Sequence, residues 1–179
     1  MQEKDIVEIL QKDLNFEDHS INKLRLFVKA LIKANQKHNF ISKSTVSDVW
    51  YRHVLDSAQL IKFIDFKNGS LSDLGSGGGF PGIVLAIFND NKNFHVKLYE
   101  KSPVKRKFLE NVIKDLDINA KIFNNVYECK IESDIIVSRA FKKLDQVIQV
   151  SREIVKKPHK LIVLKGKNAQ EELNKAFKS

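Results

Sequence analysis

The residues best placed to do chemistry lie in one stretch, "LSDLGSGGGFPGIVLAIF" (71–88), where five of the chain's seven glycines fall within eight positions. They are Gly75, Gly77, Gly78, Gly79 and Gly82. Glycine allows positive φ and removes the Cβ that would hold a ligand off the main chain. Pro81 stands where a helix should begin, a position that suits its fixed φ. A strand that ends in glycines and feeds a helix is the junction at which open parallel sheets take up ligands.

Spacing narrows the ligand. The dinucleotide fingerprint G-x-G-x-x-G fails, because counting from Gly75 and Gly77 puts Phe80 at the third glycine. No GxxxxGK[ST] phosphate loop occurs either. What fits is D-x-G-x-G-x-G, as Asp73, Gly75, Gly77 and Gly79. The leading acid is expected to point into the pocket and to suit a cationic or amine-bearing ligand. Glu100 ends the next expected strand, 21 residues past Gly79, where an acidic group hydrogen-bonds ribose hydroxyls in this architecture. A nucleoside with a positively charged or amino-acid tail is implied, which describes S-adenosyl-L-methionine.

Three further side chains have functional readings. On an expected helix over 46–64, His53 shares the apolar stripe with Val46, Val49, Trp50 and Ser57, and Asp56 lies three residues on, a neighbour on the same face. The preferred reading is a buried, mutually bonded pair docking this helix onto the glycine turn; the sharper one has both shaping a substrate pocket. Arg139 follows a strand at its carboxyl end, beside the expected cleft, and Lys165-Gly166 is placed likewise after the last strand. His19, His38, His95 and His159 show no metal spacing, and the single cysteine, Cys129, excludes an internal disulfide or a cysteine-cluster metal site.

These residues need a scaffold, and the hydrophobic pattern supplies one. Residues 1–68 read as helices: Ile21, Leu24, Phe27, Val28, Leu31 and Ile32 recur at helical spacing, and Thr45 with Asp48 resembles a capping box. From Asn68-Gly69-Ser70 onward the period changes. Strands at 71–75, 95–100, 120–123, 134–141 and 160–166 alternate with helices at 81–88, 104–116, 144–155 and 168–177. Such alternation means an α/β fold, a Rossmann-like parallel sheet flanked by helices, here with an N-terminal helical extension over 1–68 and a ligand-binding domain over 69–179.

Composition agrees with a globular protein. At 179 residues and 42% hydrophobic the chain can bury a core, and no apolar run approaches the roughly 20 residues of a membrane span. The N-terminus is charged throughout and lacks a secretory apolar segment, so a cytoplasmic protein is expected. The net charge of +9 is uneven: residues 1–70 hold eleven Lys/Arg against nine Asp/Glu, and residues 71–179 hold twenty against thirteen. The surplus gathers at 101–107, 156–160 and 165–167. Such patches suit a polyanion, since each neutralised phosphate releases counterions, but equally a soluble basic surface.

Four stretches carry a family resemblance: "HNFISKSTVSDVWYRHVLDS" (38–57), "LSDLGSGGGFPGIVLAI" (71–87), "YEKSPVKRKFLENV" (99–112), and "SRAF" (138–141) followed by "LKG" (164–166). Together they resemble the bacterial small-subunit ribosomal RNA guanine-N7 methyltransferases (RsmG/GidB). The resemblance implies a class I methyltransferase that binds S-adenosyl-L-methionine at the glycine turn. The contacts carried over fall on Gly75, Phe80, Tyr127, Glu128 and Arg139. Its partner would be 16S ribosomal RNA or the small ribosomal subunit, with no metal and no membrane. Members of this class close their sheet with an antiparallel hairpin that is not evident before Ser179, so an open sheet edge is expected. Two other readings stand beside this one: a nicotinamide-dependent oxidoreductase, and an RNA-binding relative without catalysis.

Overall fold

A computed structural model describes residues 2–177. Five strands form one sheet in the order β3-β2-β1-β4-β5, every neighbour parallel. They are β1 (Gly69–Leu74), β2 (Phe94–Tyr99), β3 (Ala120–Phe123), β4 (Ile135–Arg139) and β5 (Lys160–Leu164). Chain order reverses direction between β1 and β4, so the crevice above their carboxyl ends is the switch point where this architecture binds ligands. Among the described residues β3 and β5 are the edges.

Seven α-helices accompany the sheet among the described residues: α1 (Glu3–Leu14), α2 (Asp18–Asn35), α3 (Asp56–Ala58), α4 (Gly82–Phe88), α5 (Pro103–Asp115), α6 (Leu144–Ile154) and α7 (Ala169–Ala176). The periodicity behind α2 holds: Ile21, Leu24, Phe27, Val28 and Leu31 are all buried. They merge with Leu10, Phe80, Ile83, Leu98, Leu109 and Val137 into one hydrophobic cluster, so the first 68 residues share a core with the sheet. Central β1 is inaccessible from Ser70 to Leu74 because β2 and β4 flank it and helices cover its faces.

The expected regular helix over 46–64 takes another form. Lys43–Thr45 makes a 3₁₀ turn, Trp50–Leu55 a π-helical turn, then α3 follows and Gln59–Phe63 closes as 3₁₀. The Thr45–Asp48 capping box is not formed: Thr45 Oγ1 donates to the Ser42 carbonyl at 2.9 Å and bonds His53 Nε2 at 2.9 Å. A wide π turn changes which residues share a face, and turns of this kind recur at functional sites.

Candidate active site

At the end of β1 the amides of Gly75 and Ser76 both donate to the Tyr99 carbonyl, at 2.9 and 3.0 Å, which lashes the turn to β2. Gly75, Gly77 and Gly79 have φ of 75°, 56° and 100°, a left-handed conformation that L side chains rarely adopt. Gly79 and Phe80 then donate back to the Ser76 carbonyl at 2.7 and 3.2 Å, and α4 starts after Pro81.

The glycines divide by what surrounds them. A Cβ on Gly82 would collide with Leu98 Cδ2 and lie 2.6 Å from Asp73 Oδ2; one on Gly79 would meet Ile83 Cγ1 at 2.8 Å. These two are small so that helix and sheet can close on each other. On Gly75 a Cβ would strike Phe141, whereas on Gly77 it would meet nothing nearer than the Gly75 carbonyl at 3.7 Å. The expectation that all five glycines present smooth backbone to a ligand is therefore corrected: Gly77 has that character, and Gly79 and Gly82 serve packing.

A cavity of about 540 Å³ opens beside this turn, above the carboxyl ends of β1, β2 and β4. Of the residues singled out in the sequence it brings together Gly75, Gly77, Gly78, Phe80, Glu100, Tyr127 and Arg139. Glu100 is buried, with Oε2 accepting from the Gly77 amide at 2.9 Å and Oε1 from the Ser102 amide at 2.8 Å. Lys101, Lys105 and Lys142 join Arg139 in the lining, so cations outnumber the one carboxylate. The Lys142 ammonium stands 5.6 Å from the Tyr127 ring centre, and Tyr127 is half exposed.

Several sequence-derived candidates lie elsewhere. Asp73 was expected to point into the pocket; it is wholly buried instead, accepting from the Gly82 amide at 3.0 Å. Among the described residues its Oδ1 has no hydrogen-bond partner, and burial pushes its pKa up to about 7. At that position a carboxyl ties β1 to the start of α4, because the register sets it between Leu98 and Val137 in mid-sheet. Glu128 is exposed and accepts from Asn124 Nδ2 at 2.7 Å; its neighbours Asn125 and Val126 line the cavity.

His53 and Asp56 do not bond to each other. The irregular helix turns His53 toward Thr45 and sets its ring 5.1 Å from that of Phe80. Desolvation, with Arg139 and Arg52 nearby, lowers the His53 pKa to about 4. Asp56 is half-buried and its pKa is raised by desolvation. Arg139 binds these parts together: its guanidinium carbon lies 5.1 Å from the Phe80 ring centre, and Nη1 donates to the Arg52 carbonyl at 3.2 Å. Neither His53 nor Asp56 is in the cavity lining; His53 sits behind it, against Phe80.

Sequence reasoning missed Phe40, Ser76, Tyr99 and Asn125 as lining residues. Ser76 lies inside the glycine motif and Tyr99 precedes Glu100, so adjacency was an available signal; Phe40 comes from a distant loop, and its signal was its place in the 38–57 stretch that carries the resemblance. Likewise Glu17 and Asp90 flank His19 at 3.4 and 3.1 Å, an exposed trio away from the cavity that local spacing could not reveal.

The residues present suit an adenosyl sulfonium group on structural grounds: one open glycine backbone, a buried carboxylate beside it, aromatic walls, and cations to meet a carboxylate tail. No helix among the described residues is long and apolar enough to cross a membrane.

Comparison with known proteins bears on the same point. Residues 20–179 match the family described as rRNA small subunit methyltransferase G, GidB. The chain is 38% identical over 174 residues to the ribosomal RNA small subunit methyltransferase G of Pelagibacter ubique, covering 94% of this chain and 82% of that one. It is 40% identical over 157 residues to the Rickettsia felis protein of the same name, covering 87% and 80%. In fold it is similar to a precorrin-6y C5,15-methyltransferase from Geobacter metallireducens, with TM-score 0.55 at 12% identity over 79% of this chain and 73% of that one. It is also similar to P. horikoshii TYW2 in complex with MeSAdo, with TM-score 0.55 at 18% identity over 70% and 49%. The nicotinamide reading is set aside by these matches, in accord with Phe80 filling the third-glycine position. The chain belongs to the rRNA small subunit methyltransferase G family, S-adenosyl-L-methionine-dependent enzymes that methylate ribosomal RNA of the small subunit.

Proposed function

We propose that the protein transfers a methyl group to N7 of a guanine in 16S ribosomal RNA, free or within the small subunit, in the cytoplasm and without a metal. Residues 69–179 would form the cofactor-binding unit, and residues 1–68 the helical extension packed on it. The observation that carries this reading is the hydrogen bond from the Gly77 amide to Glu100 at the mouth of the cavity. It sets a bare main chain and a buried carboxylate side by side, the pairing a ribose and sulfonium require. Gly75, Gly77, Phe80, Glu100, Tyr127 and Arg139 would hold the cofactor, which when bound supplies an electrophilic methyl on sulfur.

Guanine N7 has an in-plane lone pair and no proton, so its attack on such a methyl needs no general base. The protein's part is to fix the base in line and exclude water, a contribution worth up to roughly 7–11 kcal/mol. The surroundings agree: His53, behind Phe80 and with a pKa near 4, is neutral at physiological pH and bonded to Thr45, and among the described residues no histidine lines the cavity. Within A-form RNA N7 lies in a groove too deep and narrow for side chains, so an unstacked or looped guanine is required.

Incubating the protein with methyl-labelled S-adenosyl-L-methionine and 16S rRNA or small subunits, then digesting to nucleosides, tests the reading. Label in 7-methylguanosine is expected. Label in another nucleoside, or none with either substrate, overturns it.

A further inference from the structure

A second cavity, a groove of about 1010 Å³, runs between α2 and α5. Its apolar lining includes Leu26, Val104 and Phe108, with Leu26 56% and Val104 46% exposed. Large side chains so open are costly to leave in water unless something covers them. Lys33, Lys37 and Lys107 rim the groove, against Asp115 as its acidic lining residue. Among the described residues Lys33 and Lys37 have no ion-pair partner, and Lys107 meets Glu110 only at 3.6 Å.

Phe40 lines both this groove and the cavity beside Gly77. Its place is fixed: Asn35 Oδ1 accepts from the Phe40 and Ile41 amides at 2.8 and 3.0 Å, and its ring centre is 4.6 Å from that of Phe108. Phe40 is thus common to the walls of both hollows. Lys101 and Lys105, which line the first cavity, flank Pro103 and Val104, which line the second.

We infer that the α2–α5 groove seats the single-stranded RNA next to the methylated guanine, its base faces on the apolar floor and its phosphates on Lys33, Lys37 and Lys107. This inference rests on the RNA methyltransferase reading and extends it to a surface outside the cofactor cavity. An apolar floor for π-faces with a cationic rim for the backbone is the pairing that binds single strands. Continuity with the reacting cavity favours RNA over an acidic protein, because flanking nucleotides must leave that cavity by some path and this one carries Lys33 and Lys37, which have no ion-pair partner among the described residues.

The test uses the full chain carrying Lys33→Glu with Lys37→Glu, both exposed and outside the cofactor cavity, and separately Val104→Glu on the groove floor. Cofactor affinity is read by calorimetry, and KM and kcat with naked 16S rRNA. KM is expected to rise about tenfold or more with cofactor affinity unchanged. For the lysine pair, the log–log salt dependence of RNA binding should flatten by about 1.4, the loss of two single-strand phosphate contacts. Unchanged KM and salt dependence in both variants overturn the groove assignment, provided the unaltered protein methylates the RNA. Loss confined to assembled subunits, with naked RNA methylated normally, overturns it in favour of an acidic protein partner. If the unaltered protein methylates neither substrate, the functional reading itself falls.

Discussion

Glu100 and Gly77, 23 residues apart, are joined by a hydrogen bond of 2.9 Å from the Gly77 amide to Oε2, while Oε1 accepts from Ser102 at 2.8 Å. One carboxylate therefore fixes both the glycine turn after β1 and the entry to α5. A glutamine has a single acceptor oxygen, so one of the two amides would face an N–H instead. Leaving a buried donor unsatisfied costs about 1–3 kcal/mol. Glu100→Gln is expected to weaken S-adenosyl-L-methionine binding about tenfold and to lower Tm by a few degrees. Calorimetric titration with a parallel melt checks this; wild-type affinity would show that the carboxylate is only a brace.

Gly77 and Gly82 should fail in different ways when given a methyl group. In Gly82→Ala the new Cβ collides with Leu98 and with Asp73, in mid-sheet where nothing can yield. Loss of soluble, folded protein is expected. In Gly77→Ala the Cβ has room among protein atoms, and the strain of φ 56° costs about 1–2 kcal/mol. That variant should fold with a slightly lower Tm yet bind cofactor poorly, because the methyl occupies the bare surface of the cavity. Equal loss of stability in both would contradict the division of the glycines by role.

Arg139 is held by a ring and by one hydrogen bond at once: its guanidinium lies over the Phe80 ring and Nη1 donates to the Arg52 carbonyl. Lysine keeps the charge but offers neither the flat face nor the fixed donor geometry. Arg139→Lys should therefore lower kcat/KM about tenfold, equivalent to about 1.4 kcal/mol, with the fold intact by circular dichroism. A variant as active as the parent would mean that charge alone is what this position supplies.

The scaffold was legible in the sequence because each strand is a short apolar run bounded by a polar or glycine stop, and each helix keeps its stripe. Strands expected at 95–100 and 160–166 are found at Phe94–Tyr99 and Lys160–Leu164. The site was legible only where it is local. Gly77 and Glu100 follow from a motif and a spacing, whereas Phe40 enters the cavity from a loop fixed by Asn35, and no period encodes that. The direction of Asp73 was not given by its place at the head of the glycine motif, because it lies within a central parallel strand whose two faces are both buried. His53 was matched with Asp56 on the assumption of 3.6 residues per turn, which the π turn at Trp50–Leu55 breaks.

His53 and Asp73 should leave opposed marks on the pH dependence of stability. Asp73 titrates near 7 in the folded protein against an ordinary 3.8, so between those values the native state holds a proton that the unfolded chain has lost. Stability from this group falls as pH rises through that window. For His53, folded near 4 against an ordinary 6.5, the unfolded chain holds the extra proton, and stability rises with pH over that range. Each slope is at most about 1.4 kcal/mol per pH unit, and between pH 4 and 6.5 they nearly cancel. Asp56, raised by desolvation in the same direction as Asp73, adds to the Asp73 arm, while the charges of Arg52 and Arg139 favour ionised Asp56 and neutral His53. Asp73→Asn removes one arm, so its stability should climb with pH from 4 to 6.5. His53→Gln removes the other, and its stability should decline from pH 4 toward 7. Urea unfolding of both variants at four or five pH values checks the signs; two curves of the same slope would show that these groups do not titrate as their burial dictates.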